Sequence, residues 1–351
     1  MVRTLTLFML ALGSGAGCVD VIGEAGRADV GAVVTDCVVP APDGVVALGA
    51  PVSLELPVGS LWIFGETELT AGGSVGSAAA LARDVDDACA GRLELVRDAD
   101  GAPAPFIPLT AKEQAENAAR SDGRRLDLVA RGGFVAAGQG TLYYDEILRG
   151  PGPFDAEWLG TGVCAVGAAD APCARAPGLV WSGAQPTWGA AGLLGDDGEA
   201  YLGACFHAAA FTDLCGVARV DPAAAGDAGA YSFFNAFNGW VNDPHGYTVA
   251  FDGPGAVTLA ADPQLGGFTA VSANLWDSTL ELRTAPAPEG PWSEAGTLVR
   301  AVPPDGWFIS GGVEHAALRS ADGRTLAVSY HTVSATGPSG LHLVTVRVGG
   351  E

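Results

Sequence analysis

The chain has 351 residues, 48% of them hydrophobic, which supplies a sizeable core and excludes global disorder. Its 18 Lys and Arg stand against 40 Asp and Glu, a formal charge of −22, and Lys112 is the sole lysine. So acidic a surface excludes charge-driven binding of nucleic acid or of an anionic membrane face, because phosphate contacts need clustered cations.

The N-terminus reads as a targeting segment. Arg3 precedes the apolar run Leu5–Leu12 and the small residues Gly13–Gly17, a signal peptide over 1–17 that is too short to span a bilayer. Small residues directly before Cys18 resemble a bacterial lipobox, whose cysteine is lipidated and becomes the first residue of the mature chain. Gly15 stands where Leu is usual, so ordinary signal-peptidase cleavage is the alternative. Val19 replaces the Asp that marks inner-membrane retention, so the resemblance implies an outer-membrane lipoprotein that meets the membrane only through its N-terminal lipid. Residues 18–45, small, polar and acidic, read as a tether, and 46–351 as the folded domain.

Setting Cys18 aside leaves six cysteines, an even number suited to an oxidising compartment. Nearest-neighbour pairing (Cys37–Cys89, Cys164–Cys173, Cys205–Cys215) is one of 15 possibilities and is favoured because the last two pairs each close a hairpin or loop. No C-x-x-C pair occurs and the five histidines are scattered, so no metal site is expected. No cofactor fingerprint is present either: Walker A, dinucleotide, H-E-x-x-H and G-x-S-x-G patterns are all missing.

In chain order, 51 Gly and 22 Pro punctuate short runs with period-two alternation, the pattern of strands joined by tight turns. Leu61–Gly65, Gly76–Arg83 and Arg92–Arg97 form a first group. Leu109 to Arg131 is the one helical stretch, rich in Ala, Glu and Gln with Thr110 as N-cap. Thr141–Leu148 and Gly162–Gly167 form a second group. Thr187–Leu194, Ala200–His207, Cys215–Val220 and Tyr231–Asn235 form a third. Ala256–Ala261, Phe268–Ala273, Leu280–Thr284 and Thr297–Arg300 form a fourth. Gly312–Arg319, Thr325–Tyr330 and Leu341–Val348 form a fifth, its missing outer strand expected from Val45–Leu56. The class is all-β.

Four segments carry a family resemblance: Leu-Trp-Ile-Phe-Gly-Glu-Thr at 61–67, Glu-Ala-Tyr-Leu-Gly-Ala-Cys-Phe at 199–206, Leu-Arg-Thr-Ala-Pro-Ala-Pro-Glu-Gly-Pro-Trp-Ser at 282–293 and Glu-His-Ala-Ala-Leu at 314–318. Together, over about residues 46–348, they resemble the domain of unknown function 4185 and related five-bladed β-propellers similar to family 43-type glycoside hydrolases. The resemblance implies five four-stranded antiparallel blades closed by an N-terminal strand, with a polysaccharide or oligosaccharide as partner and no cofactor. A monomer is expected.

Carboxylate pairs drive glycoside hydrolysis, one protonating the leaving oxygen and the other activating water or attacking carbon. By resemblance Glu66 takes the place of an Asp on the innermost strand of the first blade. Glu314 and His315 occupy adjacent positions whose side chains point to opposite faces, so one of them is expected in the channel; the resemblance favours His315. Asp243, in Trp240-Val241-Asn242-Asp243-Pro244-His245-Gly246, resembles the nucleophile motif of family 32 fructan hydrolases, and it also fits an ordinary turn. Asp84 is a further inner carboxylate or a surface turn. Trp188, Trp62 and Trp276 offer aromatic faces for sugar rings or for the core. Two functions stay open: a glycoside hydrolase acting through these carboxylates, or a non-catalytic propeller that binds carbohydrate or protein.

Overall fold

The computed structural model describes residues 32–348 apart from 152–154, 184, 187, 210–211, 254–256 and 335–339. Cys18 and the proposed signal peptide lie outside the described residues, as do Thr187 and Ala256, the expected first residues of two strands.

Eight strands come first: β1 (Ala32–Val38), β2 (Val45–Ala47), β3 (Pro51–Leu56), β4 (Gly59–Phe64), β5 (Glu66–Leu69), β6 (Ser74–Gly76), β7 (Ala79–Ala82) and β8 (Glu94–Leu95). Then come β9 (Arg125–Ala136), β10 (Gln139–Arg149), β11 (Ala156–Val166), β12 (Ala174–Arg175) and β13 (Trp181–Ser182). The next six are β14 (Ala191–Leu194), β15 (Ala200–Ala209), β16 (Thr212–Val220), β17 (Ser232–Asn235), β18 (Gly239–Val241) and β19 (Phe251–Gly253). The last seven are β20 (Val257–Asp262), β21 (Gly267–Asn274), β22 (Thr279–Ala285), β23 (Gly296–Arg300), β24 (Trp307–Glu314), β25 (Thr325–Ser334) and β26 (Gly340–Arg347). Two short helices, α1 (Val85–Cys89) and α2 (Ala111–Ala119), interrupt them.

Antiparallel pairing sorts most of these strands into five sheets: β3-β4-β7-β8, β9-β10-β11-β12, β14-β15-β16-β17-β18, β20-β21-β22-β23 and β24-β25-β26-β1. A small sixth sheet, β2-β5-β6, sits beside the first. The innermost strands form a ring of contacts: β3 on β9, β9 on β14, β14 on β20, β20 on β24 and β24 on β3. Five hydrophobic clusters fill the walls, each shared by two neighbouring sheets. Leu54, Leu61 and Ile63 pack on Leu128, Leu142 and Tyr144; Tyr143 and Trp181 on Trp188 and Phe233; Tyr201 and Phe251 on Leu259 and Trp292; Leu280 and Leu282 on Leu326 and Val344; and Trp62 and Phe64 on Ala327 and Leu343. Close approach of the inner strands requires glycine. A Cβ on Gly132 would lie 2.5 Å from the Ala190 carbonyl oxygen, and one on Gly312 2.6 Å from the Ser272 carbonyl carbon.

The three disulfides are Cys37–Cys89, Cys164–Cys173 and Cys205–Cys215, the nearest-neighbour pairing. They belong to the chemistry of an oxidising compartment. No helix among the described residues is long and apolar enough to cross a membrane.

Three expectations shift. The outer strand of the fifth sheet is β1, which pairs along β26 from Ala32↔Arg347 to Val38↔His342. Residues 32–38, read as tether, are therefore part of the fold, while Pro51–Leu56 is the innermost strand of the first sheet. The helix beginning after Thr110 has the expected cap, with Glu113 completing a capping box, but it ends at Ala119. From Arg125 the chain is strand: Leu126, Leu128 and Ala130 alternate with Asp127, Val129 and Arg131, and Leu128 and Ala130 enter the wall between the first two sheets.

Candidate functional site

The five innermost strands enclose an axial cavity of about 630 Å³, within the range of ligand pockets. Small and apolar side chains dominate its lining, among them Ala50, Val52, Ala130, Gly132, Ala191, Gly192, Val257, Ala260 and Gly312. Because β3, β9, β14, β20 and β24 are each the last strand of their sheet on this side, their free edges present backbone N–H and C=O groups to it. Polar residues line it at few points: Ser53, Glu55, Arg131, Asp145, Thr258 and Glu314.

Three acidic residues thus line one cavity from three strands, although the Glu314 carboxylate itself is turned into the wall with no exposed surface. Asp145, on β10, is held from all sides: Oδ2 accepts from Arg131 Nη1 at 2.7 Å, and Oδ1 accepts from Trp158 Nε1 and Thr161 Oγ1, each at 2.9 Å. Glu314 ends β24 and is 3% exposed. Its Oε1 accepts from Arg319 Nε at 2.7 Å and from a second guanidinium nitrogen, while Oε2 accepts from Thr269 Oγ1 at 3.1 Å. Arg319 also lies 3.2 Å from the buried Asp262, so one guanidinium serves two buried carboxylates.

Glu55 on β3 differs. Among the described residues it has no ion pair; its Oε2 accepts from the Ala317 backbone N–H at 2.7 Å and its Oε1 from Ser60 Oγ at 3.2 Å. Burial without a cation pushes its pKa from 4.5 up to about 7, and the nearby charge of Glu314 adds to the rise, against the lowering by hydrogen bonds with Ala317, Ser53 and Ser60. Its charge therefore changes near neutral pH.

The candidates read from sequence fall in different places. Glu314 lines the cavity, and His315, one residue on, turns into the wall, where its ring stacks on Trp62 with centroids 4.1 Å apart. Burial lowers the His315 pKa to about 3. Trp62 and Trp188 are fully buried in two different walls and have no free face for a sugar; Trp276 is exposed on the β21–β22 turn. Asp84 caps α1, accepting from Asp87 N at 2.6 Å. Asp243 is exposed in a turn, accepting from His245 N at 3.0 Å. Neither lines the cavity. Glu66 opens β5 in the small sixth sheet, off the innermost strand; Gly65 lines the cavity, but the Glu66 side chain lies outside the described residues.

Glu55 was missed. Its signal was modest: a lone acid between Leu54 and Leu56, leading into the Pro57-Val58-Gly59 turn, so that the leucines face the wall while the acid faces away from them. A second cavity of about 720 Å³ lies between the first two sheets at the end of the β3–β4 and β9–β10 turns, beside the exposed Arg83–Glu94 pair, and brings no such convergence of carboxylates.

No family model matches the sequence, and no curated protein does. Solved structures are similar in fold. A candidate hydrolase from Bacteroides ovatus aligns with TM-score 0.59 at 12% identity over 86% of each chain. A GH43_1 enzyme from Xanthomonas citri, complexed with xylotriose, aligns with TM-score 0.54 at 13% identity, over 90% of this chain and 93% of that one. An α-L-arabinanase mutant from Cellvibrio cellulosa aligns with TM-score 0.51 at 12% identity, over 88% and 93%. The fold is that of family 43 glycoside hydrolase propellers. At such identities the likeness concerns the fold alone, and the chemistry of this propeller has to be argued from its own cavity.

Proposed function

We propose that this chain is a five-bladed propeller, exported and anchored through a lipidated Cys18 at the outer membrane, that takes an oligosaccharide into its axial cavity and hydrolyses it. The five-membered ring of inner strands and the five shared cores support the blade count, with β1 closing the fifth blade. The lipobox-like residues before Cys18 support the anchor, and the three disulfides support export.

One observation carries the activity: Glu55 faces the cavity without a cation, with its pKa raised to about 7. A carboxylic acid protonated near neutrality can protonate a departing glycosidic oxygen, the role of the acid in glycoside hydrolysis. Asp145 and Glu66, the last because Gly65 lines the cavity, are the candidates for the second carboxylate. Free strand edges and Ser53 and Thr258 supply hydrogen-bonding groups for hydroxyls.

A non-catalytic, saccharide-binding propeller is the second reading, and the arginines favour it. Arg131 and Arg319 hold Asp145 and Glu314 in ion pairs, which tie both carboxylates to fixed partners in the wall and away from a sugar carbon or an attacking water. Xylotriose and arabinan oligosaccharides are the first probes, since the neighbours are an enzyme complexed with xylotriose and an arabinanase. Release of reducing ends by the wild type, abolished in Glu55→Gln, supports hydrolysis. Equal binding of a probe by both proteins without turnover supports the second reading.

A further inference from the structure

A buried polar chain runs from Glu55 into the wall between the first and fifth sheets. Ser60 Oγ accepts from Trp62 Nε1 at 3.1 Å, and it lies 3.2 Å from Glu55 Oε1 and 3.4 Å from His315 Nδ1. The other ring nitrogen, His315 Nε2, lies 2.8 Å from Ser329 Oγ. Ser60, Trp62, His315 and Ser329 are all fully buried, so no water competes for these bonds along the chain.

A hydroxyl has one proton to give and two lone pairs to accept with. Trp62, which can only donate, fills one of the Ser60 lone pairs in every state. Ser60 therefore donates to Glu55 or to His315, never to both. When Glu55 is ionised, its carboxylate takes the Ser60 proton, since charge-assisted bonds are roughly twice as strong as neutral ones. His315 must then carry its proton on Nδ1 and donate to Ser60, leaving Nε2 to accept from Ser329. When Glu55 is protonated, Oε2 is still accepting from the Ala317 N–H, so the acid proton sits on Oε1 and is donated to Ser60. Ser60 then donates to Nδ1, and Nε2 carries the His315 proton and donates to Ser329.

We infer that His315 is a positioning residue for Glu55, acting through Ser60, and that it exchanges its two neutral tautomers whenever Glu55 gains or loses a proton. The acid proton passes between Glu55 and the cavity, while the change of tautomer takes one proton off Nε2 and puts one on Nδ1, both exchanged with solvent during local opening of the wall, so that the chain as a whole loses one proton. The imidazole holds a single N–H in both states and is never a cation, in keeping with the burial that lowers its pKa to about 3. A glycosidic oxygen entering the cavity competes with Ser60 for the acid proton. Once that proton is given up, Ser60 turns its own hydroxyl to the new carboxylate and steadies it. The inference rests on the proposed role of Glu55 as the titrating acid.

The charged groups around Glu55 are few. β24 brings Glu314, whose partner Arg319 also holds Asp262. On the other side of β3, β9 brings Arg131, paired with Asp145 of β10. β4 brings Ser60 and Trp62 and no titratable group.

Nuclear magnetic resonance of the full chain, labelled with 15N and 13C, tests this from about pH 5 to about pH 9. The expected result is that the 15N signals of His315 Nδ1 and Nε2, assigned by their loss in His315→Gln, exchange their protonated and unprotonated positions. They do so with the midpoint shown by the Glu55 side-chain carboxyl carbon, about 7. In Glu55→Gln the exchange disappears, and in Ser60→Ala the carboxyl still titrates while His315 no longer follows. Flat His315 signals beside a titrating Glu55 overturn the coupling and leave the proposed acid standing. A Glu55 carboxyl that does not titrate in this range overturns both. A His315 transition that survives in Glu55→Gln belongs to another group and overturns the coupling.

Discussion

At Glu55 burial and hydrogen bonding pull in opposite directions, and burial dominates. Its folded pKa of about 7 lies above the ordinary 4.5, so between these values the folded state binds more protons than the unfolded one. The stability that this group contributes is complete below about 4.5 and is lost as pH rises through about 7. The loss is on the order of 3 kcal/mol, and it should be missing in Glu55→Gln. Denaturation midpoints of both proteins between about pH 5 and about pH 8 check this; parallel curves would contradict it. Activity that needs protonated Glu55 should fall over the same window, with the Glu55→Gln rate lower by about 10²- to 10⁴-fold. Arg319 poses the opposite case, one cation between Glu314 and Asp262. Arg319→Leu strands two buried carboxylates and should cost about 3–5 kcal/mol by urea denaturation. A cost below about 1 kcal/mol would mean that water already reaches the pair.

Among the elements, strands that alternate cleanly were legible and those with special backbone demands were not. All four strands of the fourth sheet coincide with their sequence reading, since Leu280, Leu282 and Thr284 alternate with Glu281 and Arg283 between turn residues. β9 was hidden because it follows an alanine-rich helix and contains Gly132 and Gly133, which break a strand pattern; only the ring of close inner-strand contacts explains the first. Glu55 stayed hidden for a related reason. An isolated acid in a short hairpin has no motif, and its raised pKa arises from burial against parts of the chain remote in sequence, such as the Ala317 turn, 262 residues away. β1 was taken for tether because its side chains are small and largely exposed. Its anchor is the Cys37–Cys89 bond, which closes a segment with a sequence separation of 52. Replacing both cysteines with serine should cost about 4 kcal/mol. A urea midpoint equal to that of the wild type would show that pairing with β26 holds β1 unaided.

For the whole molecule, five shared cores around one cavity make a rigid frame whose inner surface is small, apolar side chain and free strand edge. Aromatic residues sit in the walls, with Trp62 and Trp188 both fully buried, so the saccharide binding we propose would rest on backbone edges and a handful of polar groups. The acidic balance of the chain, −22, suits a neutral ligand better than an anionic one. Within that frame Glu55 alone of the three lining carboxylates lacks an arginine, and the hydrolytic reading depends on it. The most direct measurement is release of reducing ends from arabinan oligosaccharides and xylotriose by the full chain and by Glu55→Gln, across about pH 5 to about pH 9. Turnover by the wild type that declines through about 7 and is lost in the variant is the expected result. Equal turnover by both proteins would contradict it.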